Sequence, residues 1–440
     1  MEENQVHIPD GWIEITQLGN LSKVYNGLSG KKKDDFGTGE PYIPYVNVFK
    51  NSKVDIAELD YVKVKVGERQ NAIEYGDIIF TTSSETVEEV GMTSVFLENS
   101  GKYFLNSFCF ILRLNNKNWL VPQFSQYLFR SGNVRYSISL LGQGSTRYNL
   151  SKTRLLKELK FLIPSDTSEQ NQIAKILSKI DEAIFQTEQL IVKNNRIKTG
   201  LMQDLFTKGI DEHGNIRSEA IHEFEDSPLG RIPKEWDVST VSDLCSDIFL
   251  GLTSKVDYVE ANGFPLVRAT DVNEGVLSFR NVLSISEKQH RKLTQHRKAK
   301  KGDVLITKSG TLGICALVDT DREFSIYESI IVLQPNSDKL EANFLLWLLR
   351  YKPTQDNLLG AKVGSTVGHL NIIQFRELIV AIPKPLEQKT ISDLINKSNK
   401  YISELTAKLS KLQSLKTGLM QDLLSGKVRA NHLIKEIVSA

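Results

Sequence analysis

The chain has few cysteines, and their positions exclude two kinds of stabilised small domain. Its 440 residues include three cysteines, Cys109, Cys245 and Cys315, and none of them lies in a Cys-x-x-Cys spacing. An odd and scattered set argues against a disulfide framework and against a zinc site. The cysteine content therefore favours a reducing compartment, the cytoplasm.

Long apolar runs are also missing. The longest, at residues 344–349, is much shorter than the roughly 20 residues that cross a bilayer. The N-terminus carries acidic residues instead of a basic, apolar leader. We therefore expect a cytoplasmic protein with no membrane partner.

Recognisable catalytic and cofactor-binding motifs are absent as well. The sequence has no Walker-type glycine loop, and its seven histidines are dispersed without a helical i, i+4 pair. The glycine loop at 36–39 lacks the preceding apolar strand that a methyltransferase would have. The sequence thus predicts no active site, no cofactor and no metal in this chain. Because the net charge is only +2, any DNA contact would depend on local clusters or on partners.

What the chain does have is an internal repeat. The octamer Lys-Thr-Gly-Leu-Met-Gln-Asp-Leu occurs at 198–205 and again at 416–423. Shorter matches follow at similar spacing: Ile-Pro ahead of Trp12 and Trp236, Gly-Asp at 76–77 and 302–303, and Gly-Ser-Thr at 144–146 and 364–366. The spacing drifts only as loop insertions would make it drift, which indicates a tandem duplication of about 220 residues.

Each copy begins with strand-like segments and ends in one long helix. Apolar, β-branched runs predict strands at 78–82, 93–97, 108–114, 304–307, 314–318 and 330–333, with short helices at 124–129 and 344–349. From Ile173 and from Ile391 onward, apolar residues recur at alternating gaps of four and three, which is a heptad seam. A helix over 169–206 would be roughly 57 Å long at about 1.5 Å per residue. Two such helices are expected to pair antiparallel, with the strand-rich parts at opposite ends.

These patterns together predict a mixed α/β (α+β) fold with a pseudo-two-fold internal repeat. Two tandem strand-rich domains are separated by two long helices packed as an antiparallel coiled coil. The predicted segments are a first strand-rich domain at 1–165, a first helix at 166–206, a linker at 207–223, a second strand-rich domain at 224–383, a second helix at 384–424 and a tail at 425–440.

The two Gly-Ser-Thr segments are candidate binding loops. The candidate residues are Ser145, Thr146, Arg147 and Tyr148 in the first copy and Ser365, Thr366 and His369 in the second. Backbone amides and hydroxyls of this kind hold phosphate oxygens without reading bases. A structural turn that N-caps the following helix is the alternative, and both interpretations stay open.

Basic clusters and nearby polar residues are further candidates for DNA contact. The basic candidates are Lys31, Lys32, Lys33, Arg291 and Lys292, which would neutralise phosphates or simply form a solvated face. The candidates for reading base edges are Asn47, Ser83 and Ser84 in the first copy and Arg268, Lys308 and Ser309 in the second, with Asn47 roughly equivalent to Arg268. Arginine suits guanine and asparagine suits adenine.

The octamers are candidates for contact with another protein. The candidate residues are Leu201, Met202, Asp204 and Leu205 in the first copy and Leu419, Met420, Asp422 and Leu423 in the second. Full identity at two related places suggests that the same partner docks twice. A recent duplication or a tight contact between the two helices would explain the identity as well.

These features together resemble the DNA specificity subunit of Type I restriction–modification systems. The most specific parts are residues 205–211 after the first helix, residues 227–233 leading to Trp236, the Gly-Ser-Thr loops and the octamers, and the resemblance covers nearly the whole chain. It implies that each strand-rich half is a target-recognition domain that reads one part of a bipartite, asymmetric double-stranded DNA sequence. It also implies that the coiled coil sets the length of the unread spacer.

The resemblance further implies that catalysis and cofactors belong to partners. The subunit would recruit two copies of the modification subunit, which carries adenine methylation with S-adenosylmethionine. It would also serve motor–nuclease restriction subunits, which use ATP and Mg²⁺, and would itself bind none of these cofactors. Thr187 and Asn194 interrupt the first seam where the second has Leu405 and Leu412, so the spacer length stays open.

Other function classes stay open beside this one. An enzyme with an unrecognised active site would need motifs that the sequence lacks. A protein-bridging scaffold without DNA readout would show no sequence-dependent DNA binding in the assembled complex. A specificity subunit of a related phage-defence methylation system would share every feature above.

Overall fold

The computed structural model describes residues 8–251, 256–273, 275–360 and 370–430. The chain divides into two compact units, of which the first runs to Glu188 and resumes at Ala407, while the second is Gln189–Thr406. Each unit therefore contains one strand-rich part and a portion of both long helices.

The first strand-rich part and its long helix contain elements whose bounds follow in chain order. They are β1 Trp12–Ile15, β2 Ser22–Asn26, β3 Phe36–Ile43, α1 Tyr45–Lys50, β4 Asp60–Val62, β5 Ile78–Thr81, β6 Ser83–Ser84, β7 Thr93–Val95, β8 Phe104–Leu105, β9 Cys109–Leu114, α2 Pro122–Leu128, α3 Gly132–Ser139, β10 Gly142–Gln143, β11 Tyr148–Leu150, α4 Lys152–Glu158, β12 Phe161–Pro164 and α5 Thr167–Thr207.

The second strand-rich part and its long helix follow the same plan. The elements are β13 Phe224–Ser227, β14 Gly230–Pro233, β15 Asp237–Thr240, α6 Val241–Leu244, β16 Cys245–Leu250, β17 Tyr258–Val259, β18 Phe264–Val267, β19 Val272–Asn273, β20 Gly275–Leu277, β21 Ser284–Ile285, α7 Glu287–Thr294, β22 Val304–Thr307, β23 Cys315–Leu317, β24 Ser325–Ile326, β25 Ile330–Pro335, α8 Ala342–Arg350, α9 Lys352–Leu359, α10 Ile372–Arg376, β26 Ile379–Ile382 and α11 Pro385–Leu424.

The main sheet of the first unit has the order β2-β9-β5-β7 and is antiparallel throughout. Because side chains alternate along a strand, β5 faces two cores. Ile78 and Phe80 enter the core beneath α2 and α3, while Ile79 enters the core beneath α1. A strand buried on both faces is continuously apolar, which is why the sequence pattern predicted β5 and β9 correctly. The matching strands β22 and β25 of the second unit are confirmed for the same reason.

The two long helices pair antiparallel within each unit. In the first unit, Ile173 and Leu177 of α5 share a core with Leu423 of α11, and Lys416 Nζ lies 2.6 Å from an oxygen of Asp181. In the second unit, Leu205 of α5 shares a core with Ile391 and Ile395 of α11, and Lys198 Nζ donates to Asn399 Oδ1 at 3.0 Å. Residue numbers rise along α5 as they fall along α11, so the predicted antiparallel pairing is confirmed inside each unit.

A glutamate near the start of each long helix anchors the segment that follows the other long helix. Glu169, 1% exposed, accepts hydrogen bonds from Arg429 Nε and Nη2 at 2.8 and 2.7 Å. In the second unit, Glu387 accepts from Arg217 Nη1 and Nη2 at 2.6 and 3.0 Å. The boundaries of the sequence repeats therefore differ from those of the compact units. The end of each long helix packs in the unit that contains the strands of the other repeat.

Candidate nucleic-acid interface

Two sets of predicted residues meet at one short sheet in the first unit. The sheet has the order β10-β11-β6, and it pairs Tyr148 with Ser84 and Asn149 with Ser83. Leu150 N also donates to Thr82 O at 2.8 Å. Ser83 and Ser84 therefore adjoin the segment that carries Ser145, Thr146 and Arg147, although more than 60 residues separate them along the chain.

The Gly-Ser-Thr segment is the hairpin connection between β10 and β11. Gly144 has a φ of +133°, and a Cβ at this position would lie 2.0 Å from the carbonyl oxygen of Arg147, so the turn requires glycine. The helix that follows is capped by Ser151, whose Oγ accepts from Arg154 N at 3.3 Å. The interpretation of this segment as an N-capping turn is therefore wrong, and Ser145, Thr146 and Arg147 are exposed on the hairpin.

A cavity of about 400 Å³ opens beside this sheet. Its lining residues are Tyr45, Phe49, Ser83, Ser84, Glu85, Glu89, Phe108 and Arg147. Tyr45 donates its hydroxyl to Ser83 O at 2.7 Å and stacks on Phe49 with the ring centroids 5.9 Å apart. Burial raises the pKa of Tyr45, while the charge of Arg147 acts in the opposite direction. Phe108 is 62% exposed, so an aromatic ring stands uncovered at this site.

Two half-buried arginines hold the walls of this cavity. Arg130 donates to the carbonyl oxygens of Val48, Phe49 and Asn51, each at 2.9 Å, and so fixes the end of α1. Arg135 donates to the carbonyl oxygens of Glu88, Val90 and Gly91 at 2.8, 2.6 and 2.6 Å, which fixes the turn that follows Glu85. Burial lowers the pKa of each guanidinium to about 10, so both stay charged at neutral pH. The sequence analysis missed these two residues.

The second unit has the same junction with different side chains. Lys308 N donates to Ser329 O at 2.8 Å, and Leu370 N donates to Lys308 O at 3.3 Å. In the first unit, Thr82 N donates to Phe108 O and Leu150 N donates to Thr82 O in the same arrangement. Lys308 thus corresponds to Thr82, and Ser329 corresponds to Phe108. The predicted residues Ser365, Thr366 and His369 lie outside the described residues.

Arg268 lies at this second junction. It precedes Ala269, whose N donates to Ser329 Oγ at 3.0 Å, and Ser329 also accepts from Lys308. Its own Nε lies 3.6 Å from a carboxylate oxygen of Asp271 and is buried without a hydrogen-bond acceptor among the described residues. The structure therefore brings Arg268, Lys308 and Ser309 together, as the sequence analysis grouped them.

The predicted equivalence of Asn47 and Arg268 is wrong by three residues. Asn106 N donates to Ile43 O at 3.0 Å and Tyr327 N donates to Val267 O at 2.9 Å, which makes Ile43 the counterpart of Val267. Arg268 then matches Pro44, and Asn47 matches Asp271.

Asn47 also makes only internal hydrogen bonds. Its side chain is 1% exposed, donates to the carbonyl oxygens of Asp55 and Glu58 at 2.7 and 2.9 Å, and accepts from Asp55 N at 3.1 Å. All of these bonds hold the loop that follows α1. Asn47 is therefore not available to read a base, and the prediction for this residue is corrected.

The basic clusters lie elsewhere in each unit. Lys31, with a side chain 6% exposed, donates to Lys63 O at 2.6 Å and to Glu68, and this bond is the largest cause that lowers the pKa of Glu68 to about 2. Lys31 is thus internally neutralised, whereas Lys32 and Lys33 are exposed ahead of β3.

In the second unit the basic cluster lies on α7. Arg291 pairs with Glu287 at 2.6 Å, and Lys292 lines a cavity of about 260 Å³. His290 of α7 stacks on Phe264, at the start of β18, whereas Arg268 follows the end of that strand. The α7 cluster therefore lies apart from the junction at Arg268 and Lys308.

Two further searches cover the described ranges. They contain no group of three histidine, cysteine, aspartate or glutamate residues that would hold a metal ion. No helix in the same ranges combines the length and apolarity needed to cross a bilayer.

Comparison with known proteins identifies the family. The family described as Type I restriction modification DNA specificity domain matches residues 9–198 and 233–414, which is most of both repeats. This chain belongs to that family. The Type I restriction enzyme MjaVIII specificity subunit of Methanocaldococcus jannaschii is 24% identical over 444 residues, covering 98% of this chain and 96% of the relative.

Solved structures share the fold of this Type I specificity protein. The S subunit of a Type I restriction–modification system from M. genitalium aligns with a TM-score of 0.56 at 17% identity, over 96% of this chain and 97% of that one. A chain solved in work on complex assembly and conformational transition of the type I R-M system aligns with a TM-score of 0.57 at 18% identity, over 96% and 100%.

The octamers of the specificity protein bury three of the eight residues predicted to bind a partner. Met202 and Leu205 are 8% and 0% exposed in the core of the second unit, and Leu423 is 4% exposed in the core of the first. Leu201, Leu419 and Met420 pack against the same cores, while Asp204 pairs with Lys208 and Asp422 with Lys427. Buried side chains cannot contact a partner without leaving the core, so the prediction is corrected for Met202, Leu205 and Leu423.

Proposed function

We propose that this chain is the non-catalytic DNA-recognition subunit of a Type I restriction–modification complex. Each strand-rich part reads one half of a bipartite, asymmetric double-stranded DNA sequence. One observation carries this proposal: the two units place different side chains at the same junction, Thr82 and Phe108 in one and Lys308 and Ser329 in the other. Equivalent positions with unlike chemistry suit two different half-sites.

The second unit has the chemistry of a guanine reader. Arginine and lysine donate to the O6 and N7 acceptors of guanine in the major groove, and this is the commonest specific contact in such interfaces. Arg268 and Lys308 lie on either side of Ser329, so both cations can approach one base-pair step. Lys32, Lys33 and Lys292 are exposed and contact phosphates, as do the hydroxyls of Ser145 and Thr146, which fix register without reading sequence.

The long helices set the unread gap and recruit the catalytic subunits. Two modification subunits dock, one on each octamer, and supply S-adenosylmethionine-dependent methylation, while motor–nuclease subunits supply ATP- and Mg²⁺-dependent cleavage. The docking face consists of the octamer positions that the structure leaves exposed, namely Thr199, Gly200, Gln203, Thr417, Gly418 and Gln421.

The two glycines of this face support the docking proposal. A glycine inside a helix costs about 1 kcal/mol relative to alanine. A Cβ built on Gly200 or Gly418 meets nothing within 4 Å outside its own helix, so packing inside this chain does not require glycine at either position. Close approach of a partner's backbone explains both residues.

Co-expression with the modification subunit and mapping of methylated adenines in host DNA tests the proposal. We expect a single split motif with a fixed unread gap. The double variant Arg268→Ala/Lys308→Ala should lose about 1–3 kcal/mol of discrimination per lost contact in one half of the motif and leave the other half intact. Lys301→Ala, which removes an exposed cation paired with Asp321, is the matched control. Normal assembly with no motif, or with a continuous one, would contradict the proposed function.

A further inference from the structure

The cavity of the first unit is lined by carboxylates as well as by a basic side chain. Glu85 and Glu89 line it together with Arg147, yet no ion pair joins Arg147 to either carboxylate among the described residues. Glu89 Oε2 accepts from Thr86 Oγ1 at 3.0 Å, and Glu85 is exposed. The carboxylate of Glu85, the second carboxylate oxygen of Glu89 and the guanidinium of Arg147 have no hydrogen-bond partner among the described residues.

Carboxylates are poor partners for the DNA backbone. They repel phosphates, so at a DNA interface they are useful only against donors on base edges. In the major groove those donors are the exocyclic amino groups, N6 of adenine and N4 of cytosine, and glutamate is a known acceptor for the second. The uncovered ring of Phe108 and the ring of Tyr45 add apolar contact of the kind that a thymine methyl group makes with an aromatic side chain.

We propose that this cavity reads the major-groove edge of a base pair through its exocyclic amino group, with Glu85 and Glu89 as acceptors and Phe108 as the apolar contact. Arg147 offsets the carboxylates as they approach the polyanion. The proposal rests on the function proposed above and deepens it. It assigns a base with an exocyclic amino group to the first unit, whereas guanine is assigned to the second unit through Arg268 and Lys308.

The walls of the cavity are rigid enough for this task. Arg130 fixes α1, which carries Tyr45 and Phe49, and Arg135 fixes the turn that carries Glu89. A volume of about 400 Å³ falls in the range of specific small-ligand sites. Arg130 and Arg135 are thus positioning residues, and the groups that touch DNA are those of the lining.

The test uses the full chain in complex with its modification subunit. Host DNA is mapped for methylated motifs with the wild type, Glu85→Gln, Glu89→Gln and Phe108→Ser, the last of which installs the residue of the second unit. At least one carboxylate variant and Phe108→Ser should lose discrimination roughly tenfold at one position of one half-motif, with the other half unchanged. Glu88→Gln is the control, because Glu88 is exposed in the same turn and does not line the cavity.

A second measurement identifies the base. Binding competition uses duplexes in which an adenine of that half-site is replaced by purine, which lacks N6, or a cytosine by 2-pyrimidinone, which lacks N4. One of these replacements should weaken the wild-type complex roughly tenfold and have no further effect on the carboxylate variant that relaxed the motif.

The outcomes separate this inference from the proposed function. A wild-type split motif that all three variants reproduce unchanged, with no penalty from either base analogue, overturns the inference alone. A wild-type complex that assembles and methylates no split motif overturns the proposed function and this inference with it. Unchanged readout at the remaining positions of the same half-motif shows that the first unit of each variant has folded.

Discussion

At the scale of single residues, Arg130 connects stability to the candidate site. Its guanidinium donates to carbonyl oxygens at the end of α1 and, through Nε, to Thr93 O at 2.7 Å. We expect Arg130→Met to lower the free energy of unfolding by about 3 kcal/mol or more, because several buried carbonyls lose a charged donor. Urea unfolding and hydrogen exchange at α1 measure the change.

A matched surface arginine provides the control for that prediction. Arg154 pairs with Glu158 one turn away at 2.8 Å, and both side chains are partly exposed. Arg154→Met should leave the free energy of unfolding nearly unchanged, because an exposed ion pair contributes little. Equal effects of the two substitutions would mean that the bonds of Arg130 do not organise α1.

The cysteines give a prediction about reactivity and pH. Burial raises the pKa of Cys245 and Cys315 to about 12, and it raises that of Cys109 as well. The reactive thiolate is therefore scarce at pH 8, and iodoacetamide should leave the native protein unmodified while it labels all three cysteines in urea. Since the folded pKa values are raised, these thiols stabilise the fold below pH 9 and lose that contribution as the pH approaches 12. Rapid labelling of the native protein at pH 8 would contradict this.

Residue roles were the least predictable part of the sequence. Arg268, Lys308 and Ser309, which the sequence analysis proposed as base-reading candidates, follow buried strands and lie at one junction, and their role stays a prediction. The base-reading role predicted for Asn47 was wrong, because an asparagine that fixes a loop cannot be told from one that reads a base by residue type alone. Glu85, Glu89 and Phe108 were missed because their cavity forms only when β6 pairs with β11 and α1 covers that pair.

At the scale of elements, length decided what the sequence revealed. The strands β5, β9, β22 and β25 are largely apolar over four to six residues, and both long helices carry a heptad seam, so their sequence patterns identified them. The strands β6, β10 and β11 have two or three residues each and are held by pairing with distant segments, which leaves no period to detect. The candidate site is built from these short strands.

Replacing the exposed octamer glycines should change stability and partner binding in opposite directions. The double variant Gly200→Ala/Gly418→Ala should raise the free energy of unfolding of the isolated subunit, by up to about 1 kcal/mol for each site, because alanine favours the helix and the added methyl groups meet open space. The same variant should bind fewer modification subunits, because the methyl groups hinder close approach. Denaturant unfolding and the mass of the assembled complex give the two readouts.

The control for this pair is Ser403→Ala, an exposed position of α11 outside the octamers. It should raise helix stability slightly and leave assembly unchanged. If the glycine double variant is more stable and still binds a full complement of modification subunits, the proposed docking face is wrong.

At the scale of the whole molecule, the duplication and the compact units do not coincide. The strands of the first repeat share a core with Leu423 and Leu424, which belong to the helix of the second repeat. Two cores of the same design therefore account for part of the identity of the octamers, beside the docking proposed above. The sequence predicted the antiparallel pairing, but it did not reveal this exchange of helix ends between the repeats. A heptad seam indicates that a helix needs a partner helix, and it does not indicate which core the last turn of the helix enters.

This exchange predicts how half of the chain behaves. A fragment of residues 1–223 keeps Ile173 and Leu177 but loses Leu423 and Arg429, which cover them and Glu169 in the intact protein. The fragment retains the first octamer, which is the counterpart of the segment with Leu423, and Arg217, which is the counterpart of Arg429. Two copies can therefore exchange helix ends, so we expect a symmetric dimer by light scattering, and with the modification subunit a methylated palindrome of the first half-motif. Met202→Asp should keep the fragment from dimerising, and a stable, folded monomer would contradict the shared design of the two cores.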